Sequence, residues 1–121
     1  MQYLLLIHED EKTYWGLNDE ERTALHQEYG SYTEALQSSG ALVGGAQLQP
    51  TASATSVRVK NGETVVTDGP FAETKEQLGG YYVVEAKDVD EAIALAEQIP
   101  SVRSGTIEVR PLVPRMAETA A

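Results

Sequence analysis

The run Thr67-Asp68-Gly69-Pro70-Phe71-Ala72-Glu73-Thr74-Lys75-Glu76-Gln77-Leu78-Gly79-Gly80-Tyr81-Tyr82 leads out of one β segment, through a stiff polar loop, and into another. Asp68 can hydrogen-bond the backbone two residues on, Gly69 tolerates positive φ, and Pro70 fixes its own φ while pushing Gly69 out of the right-handed helical region. Phe71, the only Phe in the chain, is expected to plug the edge of the core; its alternative role is to wall a pocket. Glu73, Lys75 and Glu76 bring both signs of charge into a short span, which suits a polar site and suits a solvated face equally.

Upstream of this loop, Val57-Arg58-Val59-Lys60, Asn61-Gly62 and Glu63-Thr64-Val65-Val66-Thr67 spell a β-hairpin, because Asn-Gly meets the two positive φ values of a type I′ turn. Downstream, Gly80 to Glu85 reads as a strand. Asp88 with Glu91 then forms a capping box for a helix whose Val89, Ala92, Ile93, Ala96 and Ile99 line one side as far as Pro100. Thr106 to Arg110 alternates as a closing strand. In the first half, residues 2–8 form a continuous apolar strand expected to be covered on both faces. Asn18 with Glu21 starts a helix over residues 19–39, carrying Leu25, Tyr29, Tyr32 and Leu36 and stopped by Gly40; Ala41 to Leu48 is the next strand.

The order is strand, helix, strand, inserted hairpin, strand, helix, strand. This is an α+β fold, the ferredoxin-like βαββαβ plan with an antiparallel sheet and an extra hairpin between its halves. Two helices cover one face of such a sheet. The other face would expose alternate members of Tyr3–Ile7 and Tyr81–Val84, so a homodimer with sheets packed face to face is expected. Residues 1–112 form the single domain, and 113–121 are expected to be a flexible C-terminal tail.

The 67–82 motif resembles the signature of the DGPF branch of the YCII-related proteins, and the resemblance extends over about residues 1–112. It implies a dimeric α/β barrel and a family whose members mostly lack an assigned activity. Some members of the wider family resemble small enzymes with a His–Asp pair, the His about three turns before the Gly that ends the first helix and the Asp just before that Gly. Here the matching places hold roughly Tyr29 and Ser38, so the dyad does not transfer. The resemblance also implies an accessory or regulatory alternative, since DGPF proteins often accompany extracytoplasmic-function sigma factors in bacterial genomes.

Composition narrows the chemistry. Of 121 residues, 41% are hydrophobic and 23% charged, ordinary for a globular domain. With 9 Lys and Arg against 19 Asp and Glu the net charge is -10, which repels phosphate backbones and anionic lipid headgroups, so no direct nucleic-acid or membrane partner is expected. The chain has no Cys, so disulfide and thiolate chemistry are excluded. Tyr3 to Ile7 follows Met1 without a basic lead-in, which reads as a strand of a cytoplasmic protein.

Within those bounds His26 is the candidate general base, because imidazole changes protonation near neutral pH and His26 lies close in helical angle to Tyr29. Asp68 is a candidate acid or base, chiefly through the family motif. His8, at the end of the first strand beside Glu9, Asp10 and Glu11, would border the cleft with Tyr29, Phe71, Glu73 and Lys75 as ligand-contacting residues. No His-x-x-x-His or two-His-one-carboxylate spacing is present, so no metal and no cofactor is expected. Gly44-Gly45 and Gly79-Gly80 lack phosphate-loop spacing and read as sites of bulges or close backbone approach.

Overall fold

A computed structural model describes residues 1–114. The strands are β1 (Gln2–Glu9), β2 (Leu42–Gln47), β3 (Thr55–Lys60), β4 (Glu63–Asp68), β5 (Gln77–Glu85) and β6 (Thr106–Pro111), and the helices are α1 (Glu11–Trp15), α2 (Asp19–Ser39) and α3 (Val89–Glu97). Strands β2, β5, β1 and β6 lie in that order in one antiparallel sheet, while β3 and β4 form a separate two-stranded ribbon. This is the expected ferredoxin-like plan with its inserted hairpin. The four-stranded sheet is open within the chain, with β2 and β6 at its edges. Residues 115–121 of the expected tail lie outside the described residues.

Helix α2 starts where the capping box requires: the Asn18 side chain accepts from the Glu21 amide and Glu21 accepts from the Asn18 amide. It ends at Gly40, whose φ of 79° is the left-handed value that releases the chain toward β2. Tyr32 and Leu36 on its inner side meet Tyr3, Leu5 and Ile7 of β1, Val84 of β5, and Ala92, Ala96 and Ile99 from the α3 region in one core. That core lies wholly on one face of the sheet.

Strand β1 therefore alternates. Tyr3, Leu5 and Ile7 are buried, whereas Leu4 and Leu6 are only half-buried on the opposite face. Their cross-strand partners there are Val83 and Tyr81 of β5 and Arg110 and Glu108 of β6. The expected second cover of β1 is not supplied by the described residues.

Two packing expectations are corrected. Val89 and Ile93 do not line the inner side of α3; they are exposed, and Ala92 and Ala96, one turn apart, point inward with Leu95 packed beside them. Phe71 does not plug the core, being 81% exposed. No residue of β3 or β4 belongs to the core, and the described residues leave the ring largely uncovered.

The hairpin turn is as read: Asn61 and Gly62 have φ of 51° and 78°. Gly69 takes φ 99°, and its amide donates to the Ala54 carbonyl at 2.7 Å. The Asp68 side chain makes no hydrogen bond among the described residues, so the turn is held by Gly69 and by the Ser56 hydroxyl donating to the Gly69 carbonyl. No helix of the described residues is long and apolar enough to cross a membrane.

Candidate functional site

The two Gly pairs shape the sheet beneath α2. Ala at Gly45 would put its Cβ 2.6 Å from the Tyr81 carbonyl oxygen, and at Gly80 2.9 Å from that of Ala46, so β2 and β5 approach more closely there than any side chain allows. Gly79 stands where the β1–β5 register shifts, between Ile7 and His8. The Gly-rich stretch of floor leaves space under α2 between His26 and Gln37, and the space is a cavity of about 620 Å³. A volume of this size suits a small organic molecule.

The cavity's roof is α2, which presents His26, Tyr29 and Thr33. Its floor is β2 and β5 with Tyr82, and Tyr14 and Trp15 of α1 flank its mouth. The short helix α1 was not legible as an element, although its signal exists: Asp10 caps it, accepting from the Lys12 amide at 3.0 Å. It is tied down from both flanks. The Glu11 amide donates to the Gln77 side chain at 2.9 Å, and the Glu11 carboxylate accepts from the amide and hydroxyl of Thr51.

Three hydrogen-bonded pairs order the walls. Tyr14 Oη lies 2.7 Å from His26 Nε2, joining mouth to roof. Tyr29 donates to the hydroxyl of buried Ser101 at 2.6 Å. Thr33 Oγ1 lies 2.7 Å from Tyr82 Oη, joining roof to floor. Burial pushes the Tyr29 phenol above its ordinary pKa, and the nearby Glu9 carboxylate adds to this against the opposing hydrogen bonds with Ser101. The Arg22 guanidinium lies over the Tyr14 ring at 5.7 Å and the Trp15 ring at 5.8 Å, steadying α1 against α2.

Of the expected site residues, the structure brings His26 and Tyr29 together at this cavity. His8 falls on the opposite face of the sheet, with Nε2 3.2 Å from Glu108, because it follows Ile7 by one residue in a strand of period two. Asp68, Phe71, Glu73 and Lys75 are exposed and absent from the cavity wall. Sequence reasoning missed Tyr14, Trp15 and Glu9, although Glu9, two residues after Ile7, shares its face by the same alternation. No group of three His, Asp or Glu residues positioned to hold a metal ion occurs among the described residues.

A family model described as the YCII-related domain matches residues 1–115. The chain is also 37% identical over 114 residues to the uncharacterized protein R00369 of Rhizobium meliloti (strain 1021), a match covering 93% of this chain and 92% of that one.

Proposed function

We propose, from the premise that this chain belongs to the YCII-related family, that it binds a small organic molecule in the cleft between α2 and the Gly-floored part of the sheet. The observation that carries this is a cavity of about 620 Å³ walled by Tyr14, Trp15, Tyr29 and Tyr82, with His26 and Thr33 among its polar groups. Aromatic walls supply contact area, and a few fixed polar groups set orientation, which is the usual construction of a small-molecule site. A thermal-shift screen of small aromatic and aliphatic compounds tests it, since a ligand of the native state alone raises stability by RT ln(1 + [L]/Kd). The stabilising compound should lose its effect in Gln37→Trp, an exposed wall position on α2 where a larger side chain fills the cleft without disturbing the core. An unchanged effect in that variant would move the site elsewhere.

The pair of His26 and Tyr14 at 2.7 Å favours a second reading, in which the bound molecule is also turned over. An imidazole hydrogen-bonded to a phenol at the edge of a cleft can take a proton from a bound substrate and return it, and neither group needs a redox cofactor. His26→Ala would then bind substrate and fail to convert it. Equal turnover in His26→Ala leaves the cleft as a binding site alone.

Assembly is proposed on separate grounds. Leu4, Leu6, Tyr81 and Val83 form an apolar strip on the face that the helices do not cover, and packing against the same strip of a second copy would bury it and complete a two-sheet barrel.

A further inference from the structure

Charge is distributed one-sidedly around the cleft. Among the described residues its wall holds two carboxylates, Glu9 and Glu11, and no Lys or Arg. They are not equivalent. Both oxygens of Glu11 are engaged by Thr51, so that side chain is a structural tie. Glu9 Oε2 accepts from the Ser104 hydroxyl, and Oε1 has no hydrogen-bond partner among the described residues. Alternation along β1 places Glu9 on the cleft side of the sheet, and its negative field reaches the Tyr29 phenol.

The wall also carries Tyr14, Trp15, Tyr29 and Tyr82, and ring faces are themselves centres of negative potential that attract cations. The rings of Tyr14 and Trp15 already hold the Arg22 guanidinium in this way. A ligand anion would meet a carboxylate, phenol oxygens and ring faces, with the His26 imidazole and no Lys or Arg in the wall, in a protein of net charge -10.

We infer that the cleft takes a cationic small molecule, a protonated amine whose apolar body lies on Tyr14, Trp15 and Tyr82 and whose ammonium group faces Glu9. This rests on the cleft being the binding site. The ligand would enter with its charge leading toward Glu9 and its apolar part closing under α1.

The test uses three probes matched in size, 2-phenylethylamine, 2-phenylethanol and phenylacetate, titrated against the full chain while the emission of Trp15, the only Trp, is followed. The amine should bind at least roughly tenfold more tightly than the acid, because the acid's carboxylate is placed against Glu9. Glu9→Gln, which keeps an acceptor for Ser104, should weaken the amine by roughly five- to tenfold, a partly exposed ion pair being lost. The alcohol should bind that variant as it binds the parent, which also shows that the cleft is intact. Phenylacetate binding as tightly as the amine, or an amine affinity unchanged by Glu9→Gln, overturns the charge assignment while leaving the cleft as the site. Silence from all three probes at millimolar concentration overturns the cleft assignment and the inference with it.

Discussion

Tyr29 and Tyr32 stand on adjacent turns of α2, and three residues separate two roles. Tyr29 turns its hydroxyl to Ser101 at the cleft, while Tyr32 is buried against the ring of Tyr82 and donates to the Leu95 carbonyl at 2.8 Å. Burial, with smaller contributions from Tyr82 and Tyr29, raises the Tyr32 pKa well above the ordinary 10.0. A raised folded-state pKa means that the protonated phenol is favoured by folding. Its stabilisation is complete below the unfolded value of about 10 and is lost as pH climbs from there toward the folded value. Tyr32→Phe should therefore cost about 1 kcal/mol at neutral pH, the worth of the hydrogen bond to Leu95, and should flatten the alkaline fall in stability. Urea unfolding at neutral and alkaline pH measures both, and an alkaline limb identical to the parent's would contradict the assignment. Part of the core was legible from helical spacing: Tyr32 and Leu36 of α2 are buried as read and Tyr29 packs against them, whereas Leu25, Val89 and Ile93, read from the same spacing, lie outside the core. Phe71 was not legible, since an apolar side chain in a loop carries no periodicity to say which layer lies above it.

At the scale of elements, glycines in α2 and β2 behave oppositely. Gly30 sits within α2 with nothing near where a Cβ would be, so Gly30→Ala should stabilise the protein by about 0.5–1 kcal/mol through helix propensity. Gly45→Ala forces a Cβ to 2.6 Å from the Tyr81 carbonyl and 3.2 Å from the Tyr82 ring, and should cost about 2 kcal/mol while spreading β2 from β5. Thermal unfolding of the two variants checks the pair, and a Gly45→Ala protein as stable as the parent would show that the strand floor is not tightly closed. Strands and helices with strong patterns emerged from sequence: the capping box at Asn18, the Asn61-Gly62 turn and the continuous apolar run of β1, while at Asp88 only half of the expected box forms, its side chain accepting from the Glu91 amide and the Glu91 carboxylate accepting from the Lys87 amide. Helix α1 did not, because five residues give too little periodicity to be told from a strand's polar exit. That omission hid most of the candidate site, since α1 carries Tyr14 and Trp15 to the mouth of the cleft. The remaining part, His26 with Tyr29, was visible from their closeness in helical angle, whereas the motif loop at Asp68–Lys75 drew attention by its density of functional groups and stands elsewhere.

For the whole molecule, one face of the sheet is filled by helices and the other carries the strip of Leu4, Leu6, Tyr81 and Val83 beside the His8, Glu108 and Arg110 cluster. Sedimentation at micromolar concentration should show a dimer, and Leu6→Lys, which puts charge into the strip without entering the core, should yield a folded monomer. A well-folded parent monomer at that concentration contradicts the face-to-face assembly. The central claim concerns the other face: the cleft under α2 is where this protein meets its ligand. It is tested most directly by amide and indole chemical shifts of labelled protein during titration with a stabilising compound from the thermal screen. Saturable movement should concentrate on the Trp15 indole, the amides of Gly45, Gly79 and Gly80, and the α2 residues from His26 to Thr33. Shifts confined to the β3–β4 hairpin, the Asp68–Lys75 loop or the opposite face of the sheet, with the Trp15 indole unmoved, would contradict it.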